Sequence, residues 1–165
     1  MNYGKIIKED VANGEGIRLS LFVSGCHIQC KGCFNPQCWD FNYGEKFTEI
    51  VLNRMIKELN KEEYKGLTIL GGEPMSIENQ EEVSNIIKTV KKECENKDIW
   101  LYTGYELEDL MKEGKQFTKW TNGILKNIDV IVVGAFVEEL KDLSLRFRGS
   151  SNQRIIKLRE LRELN

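Results

Sequence analysis

Histidine is almost absent from this chain, and proline is rare. A single histidine, His27, occurs in 165 residues, so a zinc site built from histidine ligands is almost excluded. The two prolines are Pro36 and Pro74, and the chain has no Pro/Gly-rich linker, internal repeat or low-complexity tract. Residues 1–165 are therefore predicted to form a single domain, which is the usual outcome at this length.

A long apolar run and a secretory signal are also missing. The longest apolar run, residues 130–137, has the length of a strand and is too short to cross a bilayer. Residues 1–10 carry charged side chains but no apolar core of a signal peptide. We therefore expect a cytoplasmic protein without a membrane partner.

The charge balance excludes a strongly basic protein. The chain has 24 basic and 26 acidic side chains and a formal net charge of −2. Nucleic acids and anionic membranes both select a strong basic surface, so neither is expected as a partner. With 41% hydrophobic and 30% charged residues, the composition is typical of an ordinary globular protein.

The apolar pattern alternates between strand-like and helix-like segments. Strands are predicted over residues 17–23, 66–70, 99–102, 128–133 and 154–158. Helices are predicted over residues 47–60, 76–96, 105–112 and 117–126, with a short helix or frayed end over 159–165. This alternation indicates an α/β fold with a mostly parallel sheet. Because an eight-stranded barrel needs about 250 residues, we expect an open, partial βα barrel with its site at the carboxyl ends of the strands.

Cysteine is concentrated in one short segment. Four of the five cysteines lie within residues 26–38, and an odd number does not suggest a disulfide framework. The spacing Cys26-x3-Cys30-x2-Cys33 differs from the usual ferredoxin spacings, yet thiolates are the common ligands of iron–sulfur clusters. Three cysteines on a 4Fe–4S cluster leave one iron open, so these residues are predicted to bind a cluster that accepts a further ligand.

The other cysteines leave alternatives open. Cys38 either is a half-buried thiol or supplies a fourth ligand, which would make the site a closed electron-transfer centre. A structural zinc site on Cys26, Cys30, Cys33 and Cys38 is a further alternative. Cys94 lies on the apolar face of a predicted helix, so a packing role is expected.

Two glycine-rich segments adjoin predicted strands. Gly71-Gly72-Glu73-Pro74 follows the strand at 66–70, and glycine lets a ligand approach the backbone closely. Its amides and carbonyls suit the amino and carboxylate groups of an amino acid, although a simple turn is the alternative. Asn13-Gly14-Glu15-Gly16 precedes the first predicted strand and is open to the same two interpretations.

The cysteine triad together with Gly71-Gly72-Glu73-Pro74 resembles the radical S-adenosylmethionine superfamily. More closely, the chain resembles the activating enzymes of anaerobic ribonucleoside-triphosphate reductase. The segments that carry this resemblance are residues 13–26, 30–41, 69–75, 101–110 and 147–156, so that it covers nearly the whole chain. The alternative within the superfamily is a different radical S-adenosylmethionine enzyme. It would be a pyruvate formate-lyase-type activase or an enzyme that acts on a small-molecule substrate.

The resemblance implies a chemistry and its partners. The cofactors would be a 4Fe–4S cluster and S-adenosyl-L-methionine, whose amino and carboxylate groups would chelate the open iron. Reductive cleavage would yield methionine and a 5′-deoxyadenosyl radical, which would generate a glycyl radical on the anaerobic reductase. A low-potential electron donor such as flavodoxin would reduce the cluster. No catalytic residue is expected beyond the ligands of the cluster and the cofactor.

By the same resemblance, a set of residues would contact the cofactor. They are Gly32, Cys33, Phe34, Gly72, Glu73, Thr103 and Asn152. Gly72 and Glu73 would meet the methionine end, and residues 32–34 would lie beside the adenine. Thr103 and Asn152 would lie near the ribose or the carboxylate.

Two positions depart from the family pattern. Many members have an aromatic residue just before the third cysteine, where this chain has Gly32. Phe34 lies on the other side of that cysteine, Cys33. Val133 stands before Gly134 where relatives often have aspartate.

Overall fold

A computed structural model describes residues 1–163 of the chain. Its strands are β1 (Asn2–Asp10), β2 (Arg18–Val23), β3 (Glu45–Lys46), β4 (Gly66–Gly71), β5 (Asp98–Tyr102), β6 (Val130–Val133) and β7 (Arg154–Lys157). Its helices are α1 (Glu49–Leu59), α2 (Ile77–Glu93), α3 (Leu107–Leu110), α4 (Thr121–Asn127) and α5 (Leu158–Glu163), and short 3₁₀ turns cover Pro36–Trp39 and Glu138–Leu140. Within residues 1–163, no helix is long and apolar enough to span a bilayer.

The strands form one mixed sheet in the order β3-β1-β2-β4-β5-β6-β7. The four central strands, β2, β4, β5 and β6, run parallel to one another. The flanking strands β1, β3 and β7 pair antiparallel. Strands β3 and β7 stand at opposite edges of this order, so the sheet is not closed. The expected α/β class with a largely parallel centre is confirmed.

Burial of the central strands explains their apolar sequences. Strands β2 and β6 are buried at every residue, as is typical of parallel strands covered on both faces. Helix α1 buries Leu52, Met55 and Leu59, and α2 buries an equivalent stripe on the same apolar core. The Thr48 hydroxyl accepts a hydrogen bond from the N–H of Val51 and caps α1.

The central elements lie where the apolar pattern predicts them, but the flanking elements differ. Strand β1 is not predicted, because it lies near the sheet edge and is largely half-exposed or exposed, so its sequence lacks an apolar run. The helix expected over 105–112 is one turn, α3, and the helix expected over 117–126 begins only at Thr121. The reason is local: the Thr118 hydroxyl accepts the Trp120 N–H and stabilises a turn before α4. The tail forms α5 as far as residue 163, and the rest of that prediction lies outside the described residues.

The amino-terminal ends of the parallel strands are joined by Arg18, which is fully buried. Its guanidinium donates to the Thr68 hydroxyl at 2.7 Å and to the Asp98 carboxylate at 2.6 Å. It also donates to the Glu15 carbonyl at 2.9 Å, and a side chain on Gly14 would collide with it. These contacts support the turn interpretation of Asn13-Gly14-Glu15-Gly16, although Asn13 also lines a cavity together with Cys30 and Cys33.

Candidate functional site

The chemically distinctive residues gather at the carboxyl ends of the parallel strands. The cysteine loop, residues 24–35, follows β2, and Gly71-Gly72-Glu73 follows β4. Thr103 and Gly104 follow β5, and Gly134 follows β6. These segments line one cavity of about 500 Å³, which we call the cysteine cavity. Cys30 and Cys33 lie on its wall.

Main-chain hydrogen bonds fix the cysteine loop. The N–H of Gly25 donates to the Cys38 carbonyl at 2.8 Å, and the N–H of Cys26 donates to the Trp39 carbonyl at 3.1 Å. The N–H of Glu73 donates to the Gly25 carbonyl at 2.8 Å, which joins this loop to the one after β4. Gly25 has a φ of 101°, and a Cβ there would collide with Phe41, so glycine is required at this turn.

Backbone N–H groups surround the three thiols of the triad. Burial raises the pKa of Cys26, and the N–H groups of Gln29 and Ile28 act against that rise. Burial also raises the pKa of Cys30, whereas a hydrogen bond from the N–H of Phe136 lowers it. The N–H of Asn35 donates to the Cys33 sulfur at 3.4 Å. Such N–H groups stabilise thiolates, and they tune the reduction potential of a cluster that the thiolates ligate.

The donor set therefore fits an iron–sulfur cluster. Three soft thiolates follow one strand, each has an N–H donor, and two line a cavity. Within residues 1–163, no three His, Cys, Asp or Glu side chains converge closely enough to bind one metal ion. That result concerns a mononuclear site, because a cluster of four irons separates its ligands further than a single ion does. Bound iron would deprotonate these thiols, whatever their pKa in its absence.

The remaining cysteines and the histidine are not among the described residues that line this cavity. Cys38 is 1% exposed, and its thiol interacts electrostatically with Cys33 and Lys5, both of which line the cavity. Cys94 is buried in the core beside α2, as its position on an apolar face predicts. His27 is exposed and lies 2.7 Å from the Glu78 carboxylate, so it forms a surface contact between the cysteine loop and α2.

Glu73 is buried, with 1% of its surface exposed. Its carboxylate accepts hydrogen bonds from the Thr103 hydroxyl at 2.6 Å, the Gly104 N–H at 2.7 Å and the Met75 N–H at 2.9 Å. Burial raises the pKa of Glu73 from 4.5 to about 7, although all three donors favour its ionised form. The side chains of Glu73 and Thr103 are therefore engaged with each other, and their loops present backbone groups to the cavity.

The other residues assigned by resemblance occupy different positions. Phe34 lines the cavity, is 59% exposed, and packs at 5.1 Å between ring centroids against Phe136. Gly32 has a φ of 77° and lies beside Glu138, outside the cavity wall. The Asn152 amide donates to the Ala135 carbonyl at 2.8 Å and accepts from the Ser150 hydroxyl at 2.6 Å. Asn152 therefore supports the loop after β6 and does not line the cavity.

Gly72 lies where three backbone segments meet. A Cβ on Gly72 would lie 2.6 Å from the Cys38 carbonyl oxygen and 2.7 Å from that of Gly25. Real Cβ atoms do not approach backbone so closely, so the strand-end turn itself requires glycine here. Gly72 also lines the cavity, but its N–H donates to the Val23 carbonyl at 2.7 Å, so only its carbonyl is left for a ligand.

Two cations on the cavity wall are not predicted from the sequence. Arg148 donates to the Gln153 carbonyl at 2.8 Å, while its Nε is buried without a hydrogen-bond partner. The ammonium of Lys5 lies 4.6 Å from the ring centroid of Phe22, and both residues line the cavity. The basic tail over 146–165 contains Arg148, but no local pattern distinguishes it from its neighbours. Lys5 lies on the unpredicted strand β1.

Comparison with known proteins agrees with this geometry. A family model described as a 4Fe-4S single cluster domain matches residues 12–156. An anaerobic ribonucleoside-triphosphate reductase-activating protein of Haemophilus influenzae is 42% identical over 155 residues, which cover 93% of this chain and 96% of the relative. The protein of that name from Escherichia coli K12 is 39% identical over 161 residues, covering 96% of this chain and 100% of the relative. The one from Enterobacteria phage T4 is 41% identical over 155 residues, covering 94% and 93%.

No solved structure matches the chain. The sequence relatives cover 93–96% of this chain, and the family model covers the cysteine triad and the central strands of the sheet. This chain belongs to the family of anaerobic ribonucleoside-triphosphate reductase-activating proteins and contains a 4Fe-4S single cluster domain.

Proposed function

We propose that this protein reductively cleaves S-adenosylmethionine at a 4Fe–4S cluster and generates a glycyl radical on anaerobic ribonucleoside-triphosphate reductase. The observation that carries the proposal is the junction of the cysteine loop with the loop after β4. There the Glu73 N–H donates to the Gly25 carbonyl at 2.8 Å, so the cysteines and the glycine-rich turn form one wall. This arrangement suits a cofactor that binds a cluster through an amino acid group.

Cys26, Cys30 and Cys33 would hold the cluster. Held by three thiolates, such a cluster would have one iron open to the amino and carboxylate groups of S-adenosylmethionine and, once reduced, would supply the electron for cleavage of the carbon–sulfur bond. The contribution of the chain is to bind and orient the cofactor and to limit side reactions.

Each cavity segment has a distinct part in the proposal. The carbonyl of Gly72 would accept the amino group at the methionine end of the cofactor, because the Gly72 N–H is engaged by the Val23 carbonyl and a glycine lets a ligand approach closely. Glu73 and Thr103 would act as positioning residues, since their mutual hydrogen bond fixes the loops after β4 and β5. Phe34 would supply an apolar surface for the adenine. It would replace the aromatic residue that many family members have at the position of Gly32.

The two unpredicted cations suit an anionic group in this cavity. Arg148 has a buried Nε–H without a protein acceptor, and Lys5 is the second cation on the wall. Asp142 is the only carboxylate residue on the wall among the described residues. A carboxylate of the bound cofactor would satisfy the Arg148 donor, because a charge-assisted hydrogen bond is stronger than a neutral one.

We also propose the wider setting of this activity. The chain would fold as one radical S-adenosylmethionine domain over residues 1–165, with the open sheet curved into a partial barrel around the cavity. A low-potential donor such as flavodoxin would reduce the cluster. All five cysteines are free thiols, which supports a reducing, cytoplasmic location.

The test is anaerobic reconstitution with iron and sulfide, followed by reduction with dithionite. The electron paramagnetic resonance spectrum is recorded before and after S-adenosylmethionine is added. We expect a changed cluster signal, then methionine and 5′-deoxyadenosine, and a glycyl radical once the reductase is added. An unchanged signal with intact S-adenosylmethionine would contradict the proposal. The same measurements on Cys33→Ser should show no cluster signal. Cys94→Ser, which changes a core cysteine outside the triad, is its control and should keep the signal.

A further inference from the structure

A second cavity lies on the opposite face of the sheet from the cysteine cavity. It has a volume of about 510 Å³ and lies between strand β1 and helix α1. Leu19 of β2 lines it, whereas Phe22 of the same strand lines the cysteine cavity. Residues an odd number apart on a strand point to opposite faces, so the two cavities are separated by the sheet. We call this second cavity the β1–α1 groove.

The β1–α1 groove has an apolar floor and a cationic rim. The floor consists of the apolar side chains Tyr3, Ile6, Leu19, Val51 and Met55. The rim carries four cations, Lys8, Arg54, Lys57 and Lys61, and a single carboxylate, Glu58. This composition suits a ligand that has both apolar and acidic groups.

The one carboxylate of the rim is already engaged. Glu58 lies 2.8 Å from the ammonium of Lys61 and 3.5 Å from that of Lys8, and it accepts a hydrogen bond from the Tyr64 hydroxyl at 2.9 Å. Within residues 1–163, Arg54 and Lys57 form no ion pair. They lie three residues apart on the exposed face of α1, so two uncompensated cations face the same side of the groove.

The edge of the sheet beside the groove lacks a partner strand. β1 spans nine residues, but β3 pairs with it only at Asn2 and Tyr3. In the part of the chain that the structure describes, no strand covers the outer edge of β1 from residue 4 to residue 10. The Glu9 N–H already donates to the Tyr64 hydroxyl at 3.3 Å, and Glu9 has a φ of 51°. The edge before Glu9 presents unpaired N–H and C=O groups, to which an extended segment adds as a further strand.

The dimensions favour an extended peptide. Helix α1 lines the groove from Val51 to Glu58, a stretch of about 10 Å at 1.5 Å per residue. An extended segment of about four residues spans that length at roughly 3.3 Å per residue. In such a segment, alternate side chains point to one face, so a few positions would contact the floor and the rim.

We infer that the β1–α1 groove docks an extended, acidic segment of the partner reductase, which adds to the edge of β1. Its acidic side chains would pair with Arg54 and Lys57, and its apolar side chains would cover the floor. This inference rests on the proposed function for the identity of the partner. Because the groove and the cysteine cavity lie on opposite faces, docking leaves the cavity accessible to the glycine that is activated.

Such an anchor would change how the partner reaches the cavity. A segment held in the groove makes the encounter of the glycine-bearing loop intramolecular, which raises its effective concentration. Part of the affinity would come from charge pairs at an exposed rim. It would therefore decrease as salt is added.

The test is the double charge reversal Arg54→Glu with Lys57→Glu, and the probe is the intact anaerobic reductase. Binding is measured by calorimetry at low and high salt, with the cluster-loaded activating protein. We expect affinity to fall by roughly tenfold or more at low salt, equivalent to about 1.4 kcal/mol. Cleavage of S-adenosylmethionine in the absence of reductase should stay unchanged, because neither residue lines the cysteine cavity.

The matched control is Lys92→Glu with Lys112→Glu, which makes the same change in charge outside the groove. This control should bind the reductase within about twofold of the unmodified protein, a difference of a few tenths of a kcal/mol. Equal affinities for the groove variant, the control and the unmodified protein would overturn the inference. Loss of self-association by the groove variant in sedimentation, with reductase binding retained, would also overturn it and indicate a second copy as the occupant.

A second measurement does not depend on any variant. Hydrogen exchange of the unmodified protein should show slower exchange of amides in β1, from residue 4 to residue 8, when the reductase is bound. Unchanged exchange there would rule out strand addition. Absence of S-adenosylmethionine cleavage would instead contradict the proposed function. Cleavage is measured without the reductase, so failure of the proposed function and failure of the docking inference are distinguishable.

Discussion

The hydroxyl of Thr103 lies 2.6 Å from Oε1 of Glu73, and this hydrogen bond joins the loop after β5 to the loop after β4. Both side chains are buried, and the Gly104 N–H donates to the second carboxylate oxygen at 2.7 Å. Two residues that resemble cofactor ligands are therefore bound to each other. Their effect on a cofactor passes through the backbone that they fix.

Glu73 should make stability depend on pH. Burial raises its pKa from 4.5 to about 7, so the folded state binds a proton more tightly than the unfolded state does. Its contribution to stability is complete below about pH 4.5 and is lost as the pH rises through about 7, by on the order of 3 kcal/mol. Urea unfolding of the cluster-free protein between pH 5 and 8 should show this slope, and Glu73→Gln should flatten it.

Thr103 provides the control for that slope. The Thr103 hydroxyl lowers the pKa of Glu73, so Thr103→Val should extend the pH-dependent loss to higher pH, while Thr103→Ser should behave like the unmodified protein. Equal slopes for Glu73→Gln and the unmodified protein would show that this carboxyl does not titrate in the range.

Gly72→Ala should disrupt cluster binding. The added Cβ would lie 2.6 Å from the Cys38 carbonyl oxygen, so the turn after β4 and the cysteine loop cannot keep their present contact. We expect iron content after reconstitution to fall well below about four per chain. The control is Gly123→Ala in α4, where nothing lies within 4 Å of the new Cβ. It should keep the iron and gain about 0.5–1 kcal/mol, because alanine is the better helix former.

Cys38→Ala should retain the cluster, whereas Cys33→Ala should lose it. Cys33 lines the cavity and accepts the Asn35 N–H, while the Cys38 thiol is buried and accepts no backbone N–H from the described residues. Iron and sulfide analysis after anaerobic reconstitution checks both variants. Loss of the cluster in Cys38→Ala, with a folded protein by circular dichroism, would instead identify Cys38 as a ligand.

Arg18→Met should destabilise the fold without altering the cysteine cavity. It removes the buried cation that binds Thr68 and Asp98, and it leaves a carboxylate without its partner. We expect a loss of about 2–3 kcal/mol in urea unfolding, since breaking one side of a buried pair is costly and Asp98 is partly exposed. Lys65→Ala, which breaks the exposed pair with Glu15, should change stability by about 0.5 kcal/mol or less. Similar losses in both variants would contradict this explanation.

Much of the fold follows from local sequence signals. Strands β2, β4, β5 and β6 carry short apolar runs because both of their faces are covered, and α1 and α2 carry apolar stripes at helical spacing. Strand β1 escapes prediction because an edge strand with one covered face has no such run. The late start of α4 at Thr121 depends on the hydroxyls of Thr118 and Thr121, which accept the N–H groups of Trp120 and Thr118.

The candidate site is predictable where its chemistry is local. Cys26, Cys30 and Cys33 share one loop, so their spacing carries the signal. Arg148 is different, because its position on the cavity wall depends on a loop that is far from the cysteines in sequence. The cofactor role of Asn152 stays a prediction: the segment around it resembles the family, and its amide is hydrogen-bonded within its own loop.

The cysteine loop is fixed through main-chain groups, and this has an evolutionary consequence. The hydrogen bonds from Gly25, Cys26 and Glu73 use only peptide N–H and C=O groups, which every residue except proline supplies. The side chains of His27 and Lys31 are exposed and make surface contacts, His27 with Glu78 and Phe41 and Lys31 with Glu138, while the main chain fixes the shape of the loop. Related proteins are thus free to substitute the side chains on this surface, and with them the electron donor or reductase that binds there. The loop can keep the geometry of the thiols through such substitutions.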